Sequence, residues 1–197
     1  MELNKNQIAD HKTLFLALCR KYIKRDGLEK LIDWLEESDF FEAPASTMYH
    51  GAYAGGLCEH SLDVYRMAVN LQKGGFCDAL SEESVAVAAL FHDLCKVNCY
   101  SVEFRNKKID GQWQSVPVYV FDERQAFGGH GSKSVYIAQS FMSLTLDEAT
   151  AINCHMGFAG VSDTRPISAA YSQCPLAWLI HVADEAATYL LDRERES

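Results

Sequence analysis

One apolar stretch constrains the fold of this chain more than any other feature. Residues 85–96 read Val-Ala-Val-Ala-Ala-Leu-Phe-His-Asp-Leu-Cys-Lys, so His92 and Asp93 interrupt an otherwise apolar, helix-like run. An unpaired carboxylate in such surroundings is costly unless it finds a paired charge, hydrogen bonds or a metal ion. A divalent cation would satisfy both side chains at once. The segment therefore predicts a metal centre inside a helical core.

The composition sets the size and class of the fold. With 197 residues and 48% hydrophobic content, the chain can bury a substantial core, and we expect a single domain over 1–197. Its N-terminal helices would cover about 5–38 and its metal-site core about 50–190. No stretch approaches the roughly 20 apolar residues of a membrane span, and the polar start lacks a signal-peptide segment. We expect a cytoplasmic protein with no membrane partner.

The net charge limits the classes of binding partner, and the number and spacing of the cysteines indicate the state of the thiols. The formal net charge of −9 disfavours long nucleic acid, whose binding depends on clustered Lys and Arg, but it permits a small phosphorylated substrate. The seven cysteines are an odd number and lie scattered in apolar patterns. We interpret them as reduced, buried thiols and not as a disulfide framework or a structural zinc site. The oligomeric state is left open.

Periodicity and capping signals predict a mostly α fold, a helical bundle with a small β-hairpin insertion. A proline and several glycines make 41–56 a loop, and Pro166 places another loop before the last helix. The strands 100–104 and 116–121 flank Asp110-Gly111, with a turn longer than two residues. The predicted helices cover 6–22, 28–37 (opened by an Asp26 to Glu29 capping box), 58–72, the Ser81-capped segment carrying His92 and Asp93, 132–142, 149–155 (after a Thr145 to Glu148 capping box) and 175–191.

Further candidate ligands occur along the chain in the order H…HD…H…H…D. Besides His92 and Asp93 they are His60, His130, His155 and Asp184. Glycine-rich segments precede His60 and His130 in the sequence. Asp184 lies on the same helical face as His181. Carboxylate and imidazole ligands together suit Mn, Fe, Co, Ni, Mg or Zn. We therefore expect one or two divalent ions.

These residues resemble the HD-domain metal-dependent phosphohydrolases over about 50–189. Residues 49–61, Tyr-His-Gly-Ala-Tyr-Ala-Gly-Gly-Leu-Cys-Glu-His-Ser, are similar to a Gly-Gly-Leu-Leu-Glu-His segment in the HD domain of a bacterial 3′→5′ exoribonuclease and to small phage and bacterial HD proteins. The resemblance implies that His60, His92, Asp93 and Asp184 bind a first metal. His130 and His155 would help bind a second, with Asp93 bridging. A second histidine often follows the His155 position in two-metal members, whereas this chain has Met156.

Other residues could contact substrate. Lys96 matches the lysine of the family's His-Asp-x-x-Lys motif and could neutralise phosphate charge or assist the leaving group. His50 could bind phosphate or donate a proton, and Glu59 is a similar candidate. His181 could be a ligand or could orient Asp184, and we favour the second role. Weaker candidates for phosphate contacts are Arg105, Lys107, Lys108, Lys133 and Arg165.

The leading hypothesis is a metal-dependent phosphohydrolase acting on a nucleotide or another small phosphate ester. A bound cation would polarise the phosphoryl group and lower the pKa of water from 15.7 towards about 7. The nearest enzymatic alternative is a phosphodiesterase of cyclic or short oligonucleotides. A different class is an HD-type di-iron oxygenase, which has the same ligand order. A third is a noncatalytic nucleotide-binding regulatory module.

Overall fold

The computed structural model describes residues 3–122, 127–159 and 161–191 of the chain. Over these ranges it is predominantly helical with one small antiparallel sheet, which confirms the predicted fold class. A 3-10 turn covers Leu94–Lys96, and a π-helical turn, Ala187–Leu191, follows the last helix. The helices, numbered in chain order, are α1 Lys5–Tyr22, α2 Leu28–Glu37, α3 Gly56–Lys73, α4 Glu82–Phe91, α5 His130–Phe141, α6 Leu146–Cys154, α7 Arg165–Gln173 and α8 Pro175–Ala186.

Side-chain caps explain where several helices begin. Asn4 accepts hydrogen bonds from the backbone N–H groups of Asn6 and Gln7, and the Gln7 side chain accepts one from the Asn4 N–H. Ser81 accepts a bond from the Ser84 N–H at the start of α4, as its sequence position predicts. Thr145 and Glu148 form the predicted capping box of α6. Each cap satisfies N–H groups that the first turn of a helix leaves without partners.

Two predicted local features are wrong. Helix α2 begins after Gly27, which has a φ of 92° and caps the helix without a side-chain bond, so the Asp26 to Glu29 capping box does not form. Glu29 instead pairs with Arg20. Residues around Pro166 form helix α7 and not a loop, because proline is well tolerated in the first turn of a helix, where its missing N–H is not needed.

The hairpin has a tighter turn than the sequence predicts. Strands β1, Tyr100–Ile109, and β2, Gln112–Phe121, pair antiparallel from Tyr100 opposite Phe121 to Ile109 opposite Gln112. Only Asp110 and Gly111 separate them, both at positive φ, as a two-residue hairpin turn requires. Most hairpin side chains are exposed, and its main packing is strand against strand. The hairpin therefore projects from the helical body.

The helices enclose one hydrophobic cluster that runs from α1 to the end of α8. Residues 85–91 of α4 are completely buried, which fits a helix that is apolar on all sides. Helix α3 packs against α4 and α8, and α6 packs against α5 and α8. All seven cysteines are free thiols. In the part of the chain that the structure describes, no helix has the length and apolar character needed to cross a bilayer.

Candidate metal centre

The His-Asp pair lies at a helix end and not within a helix. The sequence predicts that the Ser81-capped helix carries both residues, but α4 ends at Phe91 and His92 is its C-terminal cap. Asp93 follows with φ −109° and ψ 23°, which takes the chain out of the helix and into the 3-10 turn. This change of direction lets the two adjacent side chains face the same centre, which a regular helix would separate by about 100°.

The other predicted ligands reach the same region from four different helices. His60 lies in the first half of α3, and Asp184 lies near the end of α8. His130 is the first residue of α5, and His155 caps the end of α6. His92, Asp93 and His155 are almost completely buried, whereas His130 is exposed. The predicted metal ligands therefore converge between the packed helices.

The first group of side chains gathers around Asp93 Oδ2. This oxygen lies 3.3 Å from His92 Nε2 and 3.8 Å from His60 Nε2. His60 Nε2 also lies 3.0 Å from Asp184 Oδ1 and 3.3 Å from His92 Nε2. For metal–ligand bonds of 2.0–2.2 Å, neighbouring donor atoms are about 3.0 Å apart in an octahedron and about 3.5 Å apart in a tetrahedron. The observed spacings match one coordination sphere.

The second group gathers around the other carboxylate oxygen, Asp93 Oδ1. His155 Nε2 lies 3.5 Å from this oxygen. His130 approaches from the start of α5 and forms a compact group of possible ligand atoms with Asp93 and Cys95. The two oxygens of Asp93 therefore face different groups of possible ligand atoms.

Backbone contacts fix which nitrogen of two histidines faces the centre. His92 Nδ1 donates to the Ala89 carbonyl oxygen at 2.8 Å, and His155 Nδ1 donates to the Ile152 carbonyl oxygen at 2.7 Å. A carbonyl only accepts, so each Nδ1 carries a hydrogen, and Nε2 is the ring nitrogen that faces the centre. Among the described residues, the buried His155 Nε2 has no hydrogen-bond partner.

The carboxylates of Asp93 and Asp184 are both ionised in the cluster, which favours binding of a cation. Burial alone would raise the pKa of Asp93, but Lys96, His92 and His155 hold it well below its usual range. Asp184 also has a lowered pKa, because contact with His60 outweighs its burial. Two carboxylates therefore face one ammonium, that of Lys96, which lies 2.6 Å from Asp93 Oδ2. The two buried carboxylates and the His155 Nε2, which has no hydrogen-bond partner among the described residues, fit a divalent ion.

An open cleft of about 1090 Å³ leads to this cluster. Lys96, His50 and His130 line it together with Asp93 and Asp184. The His50 ring centre lies 4.7 Å from that of His60, and burial lowers the pKa of His50 to about 3. His50 is therefore neutral near pH 7, so it can hydrogen-bond to a phosphate without adding positive charge to the cleft. This state favours the predicted phosphate contact over proton donation.

Some predicted contact residues are not brought into the cleft. Arg105 lies on the exposed hairpin next to Glu103, five residues or roughly 17 Å along the strand from Tyr100. Lys133 Nζ contacts Cys99 Sγ at 3.1 Å. A substrate contact for either residue stays a prediction. Lys107 and Lys108 are likewise on the exposed hairpin, and Arg165 pairs with Asp163.

Two candidates make contacts that the sequence did not predict. His181 Nδ1 donates to the His155 carbonyl oxygen at 2.8 Å, and its ring stacks on Tyr171, so it supports the His155 segment and not Asp184. The buried Glu59 accepts a hydrogen bond from the Tyr53 hydroxyl at 2.6 Å. Tyr53 lines the cleft, so Glu59 is placed to hold the cleft wall in position.

The sequence reasoning missed several residues at the site. Tyr100 and Phe121, paired at the base of the hairpin, line the cleft beside Lys96. The position of Tyr100 only four residues after Lys96 was a usable signal, whereas Phe121 reaches the cleft only because the hairpin pairs it with Tyr100. Cys95 was interpreted as a buried hydrophobe, yet its thiol lies 3.5 Å from His130 Nδ1.

Comparison with known families agrees with this geometry. The family model described as HD domain matches residues 57–189, which is more than half of the chain and includes all six predicted metal ligands. The chain belongs to the HD-domain family. This is the superfamily of metal-dependent phosphohydrolases, whose members act on phosphate esters. No curated protein and no solved structure matches the chain.

Proposed function

We propose that this HD-domain protein is a metal-dependent hydrolase of a nucleotide or another small phosphate ester. The observation that carries the proposal is the convergence of four imidazoles and two carboxylates at the base of an open cleft, with Lys96 beside them. His60, His92, Asp93 and Asp184 would hold one divalent ion. Asp93, His130 and His155 would hold a second.

The roles of the protein's residues follow from their positions. Bound ions would polarise the phosphoryl group and lower the pKa of water, supplying a nucleophile near neutral pH. Burial alone would lower the pKa of Lys96, but Asp93 raises it, so the ammonium stays charged and available to phosphate oxygens in the cleft. His50, neutral and at the cleft wall, would orient the phosphate by hydrogen bonding.

The cleft walls support a nucleotide as the substrate class. Tyr49, Tyr100, Phe121 and Tyr189 line the same cleft as Lys96, Asp93 and Asp184. Aromatic side chains offer flat faces on which a nucleobase can stack, whereas the metal cluster and Lys96 offer positive charge to a phosphate. A cleft that is lined by both aromatic and charged side chains therefore fits a molecule with a flat ring at one end and a phosphate at the other.

A metal-supplemented substrate screen tests the function. The purified chain would be assayed with Mn, Co, Ni, Mg or Zn against nucleoside mono-, di- and triphosphates, cyclic nucleotides and short oligonucleotides. We expect metal-dependent release of phosphate or of a nucleotide, and the product pattern separates a phosphomonoesterase from a phosphodiesterase. Folded Asp93→Asn should lose both bound metal and turnover. Unchanged hydrolysis by that variant would refute the assignment.

Two other outcomes would replace the proposal. Two tightly held irons with O₂ consumption and no hydrolysis would identify a di-iron oxygenase. Tight nucleotide binding without turnover under every metal condition would identify a regulatory module. Native metal analysis of anaerobically purified protein and a binding assay on the same nucleotide panel provide these two measurements.

A further inference from the structure

Cys95 is held rigidly beside the second group of ligands. It lies in the 3-10 turn directly after Asp93, and its backbone N–H donates to Ser134 Oγ of α5 at 3.0 Å. Its side chain is almost completely buried, and its Sγ lies 3.5 Å from His130 Nδ1 and 3.7 Å from Asp93 Oδ1. The same packing of the turn on α5 thus sets the positions of both the thiol and His130.

The neighbouring buried thiol of Cys99 makes different contacts from that of Cys95. The Cys99 thiol, also fully buried, contacts the backbone carbonyl oxygens of Cys95 at 3.0 Å and Val97 at 3.2 Å. Those contacts are typical of a thiol with a structural role, since sulfur donates weakly to main-chain oxygen. The Cys95 thiol instead faces an imidazole nitrogen and a carboxylate oxygen, both of which are metal ligands in proteins.

An independent observation points to a ligand at the same place. His155 Nε2 is buried, has no hydrogen-bond partner among the described residues, and lies 3.5 Å from the same Asp93 Oδ1. Each of these two spacings, 3.5 Å to His155 Nε2 and 3.7 Å to Cys95 Sγ, is in the range for a pair of ligand atoms on one ion. Asp93 belongs both to the group with His92 and His155 and to the group with Cys95 and His130. Met156, which follows His155, offers only a thioether, which is a poor ligand for a hard divalent ion.

We propose that Cys95 is a thiolate ligand of the second metal ion, together with Asp93, His130 and His155. This inference rests on the proposed metal-dependent function. On binding, the ion displaces the thiol proton to solvent and forms a metal–sulfur bond. A site with one sulfur, one oxygen and two nitrogen ligands selects Zn, Co or Fe over Mg or Mn, because thiolate is a soft ligand. The first site, without sulfur, accepts the harder ions as well.

Cobalt(II) gives a direct spectroscopic test. The full chain, stripped of metal, would be titrated with Co(II) under anaerobic conditions while the near-ultraviolet absorption is recorded. We expect two equivalents to bind and a thiolate-to-cobalt charge-transfer band to grow with the second. Cys95→Ser should lose the band and one cobalt equivalent while retaining the other. The matched control, Cys99→Ser, removes a buried thiol four residues away and should keep both the band and the stoichiometry.

A second variant keeps the test decisive if Cys95→Ser does not fold. His130 is exposed at the start of α5, so His130→Ala should fold and should weaken binding of the second cobalt by at least tenfold, with a parallel shift of the band to higher cobalt concentration. Two cobalt equivalents without a charge-transfer band in the wild-type chain would overturn the Cys95 proposal alone. A band that survives in folded Cys95→Ser would do the same. Failure to bind any cobalt would overturn both this proposal and the proposed function.

Discussion

At the scale of single residues, a substitution at Lys96 tests the proposed metal binding and the proposed catalysis separately. Its ammonium contacts Asp93 but is not itself a metal ligand, so we expect Lys96→Met to retain bound metal. Loss of a positive charge that faces the reacting phosphate should lower kcat by about 100-fold. Metal analysis and steady-state kinetics on the same preparation measure both effects. Lys12→Met, which removes a surface ion pair with Glu36, is the control and should leave both quantities unchanged.

Glu148 is predicted to stabilise the fold without any role in chemistry. Its fully buried carboxylate receives two bonds from Arg25, at 2.7 and 3.0 Å, and one from Ser84 at 2.8 Å. Glu148→Gln removes the charged acceptor of these bonds and leaves Arg25 with its Glu83 contact, so it should lower the free energy of unfolding by about 2 kcal/mol. Glu29→Gln, in an exposed pair, should change it by less than about 1 kcal/mol. Equal effects of the two variants in urea unfolding would contradict this.

The difference in the free energy of unfolding between wild type and Glu148→Gln should depend on pH. Burial alone would raise the pKa of Glu148, but the Arg25 bonds outweigh it and hold the pKa below its ordinary value. A lowered pKa in the folded state gives stability that is present at neutral pH and is lost as the pH falls through the folded value. The gap between wild type and Glu148→Gln should therefore shrink below about pH 4.

The sequence predicted which ionisable residues lie close together better than it predicted their surroundings. His92 and Asp93 were identifiable because ionisable groups in an apolar run need a partner, and this cost is a property of the sequence itself. The role of Cys95 was not identifiable in the same way, since a cysteine in an apolar run is usually a buried hydrophobe. Only the direction of the 3-10 turn, and its contact with α5, places the thiol beside His130.

At the scale of elements, the close contact of α5 with α6 positions His130. A Cβ on Gly131 would lie 2.2 Å from the Asn153 carbonyl oxygen, so Gly131→Ala must push the two helices apart. We expect a loss of about 1–3 kcal/mol in the free energy of unfolding and of one metal equivalent. At Gly129 an added Cβ meets only the flexible Ser132 side chain, so Gly129→Ala is the control. Full metal content in Gly131→Ala, measured by elemental analysis, would contradict this account.

The sequence predicted the ends of helices where a hydrogen bond between nearby residues sets the end. The caps at Ser81 and Thr145 were predictable because each needs only a hydrogen bond from the backbone N–H three residues later to the side-chain oxygen. The hairpin turn was predicted too long, since the charged residues near Lys107 do not resemble strand formers. They form strand because β1 and β2 are exposed and pair with each other, so no buried face requires apolar side chains.

At the scale of the whole molecule, the ligands connect helices that are distant in sequence. His60, His92, His155 and Asp184 come from α3, the end of α4, the end of α6 and α8, which also surround the hydrophobic cluster. The sequence order of ligands could be recognised, but their distances depend on how these helices pack. A bound ion would therefore link the same helices that form the core, and metal binding should be coupled to global stability.

Metal removal tests this coupling. An ion that binds the folded chain alone stabilises it by about 2.7 kcal/mol at a concentration 100 times its Kd. For a domain of this size, that should raise Tm by about 5–10 °C. We expect Tm, measured by calorimetry, to fall by this amount with a chelator and to recover when Zn or Co is added back. Asp93→Asn, which removes the carboxylate charge common to both groups, should have a Tm that changes little with chelator or metal. A wild-type chain that binds metal with an unchanged Tm would show that the ion lies outside this buried cluster.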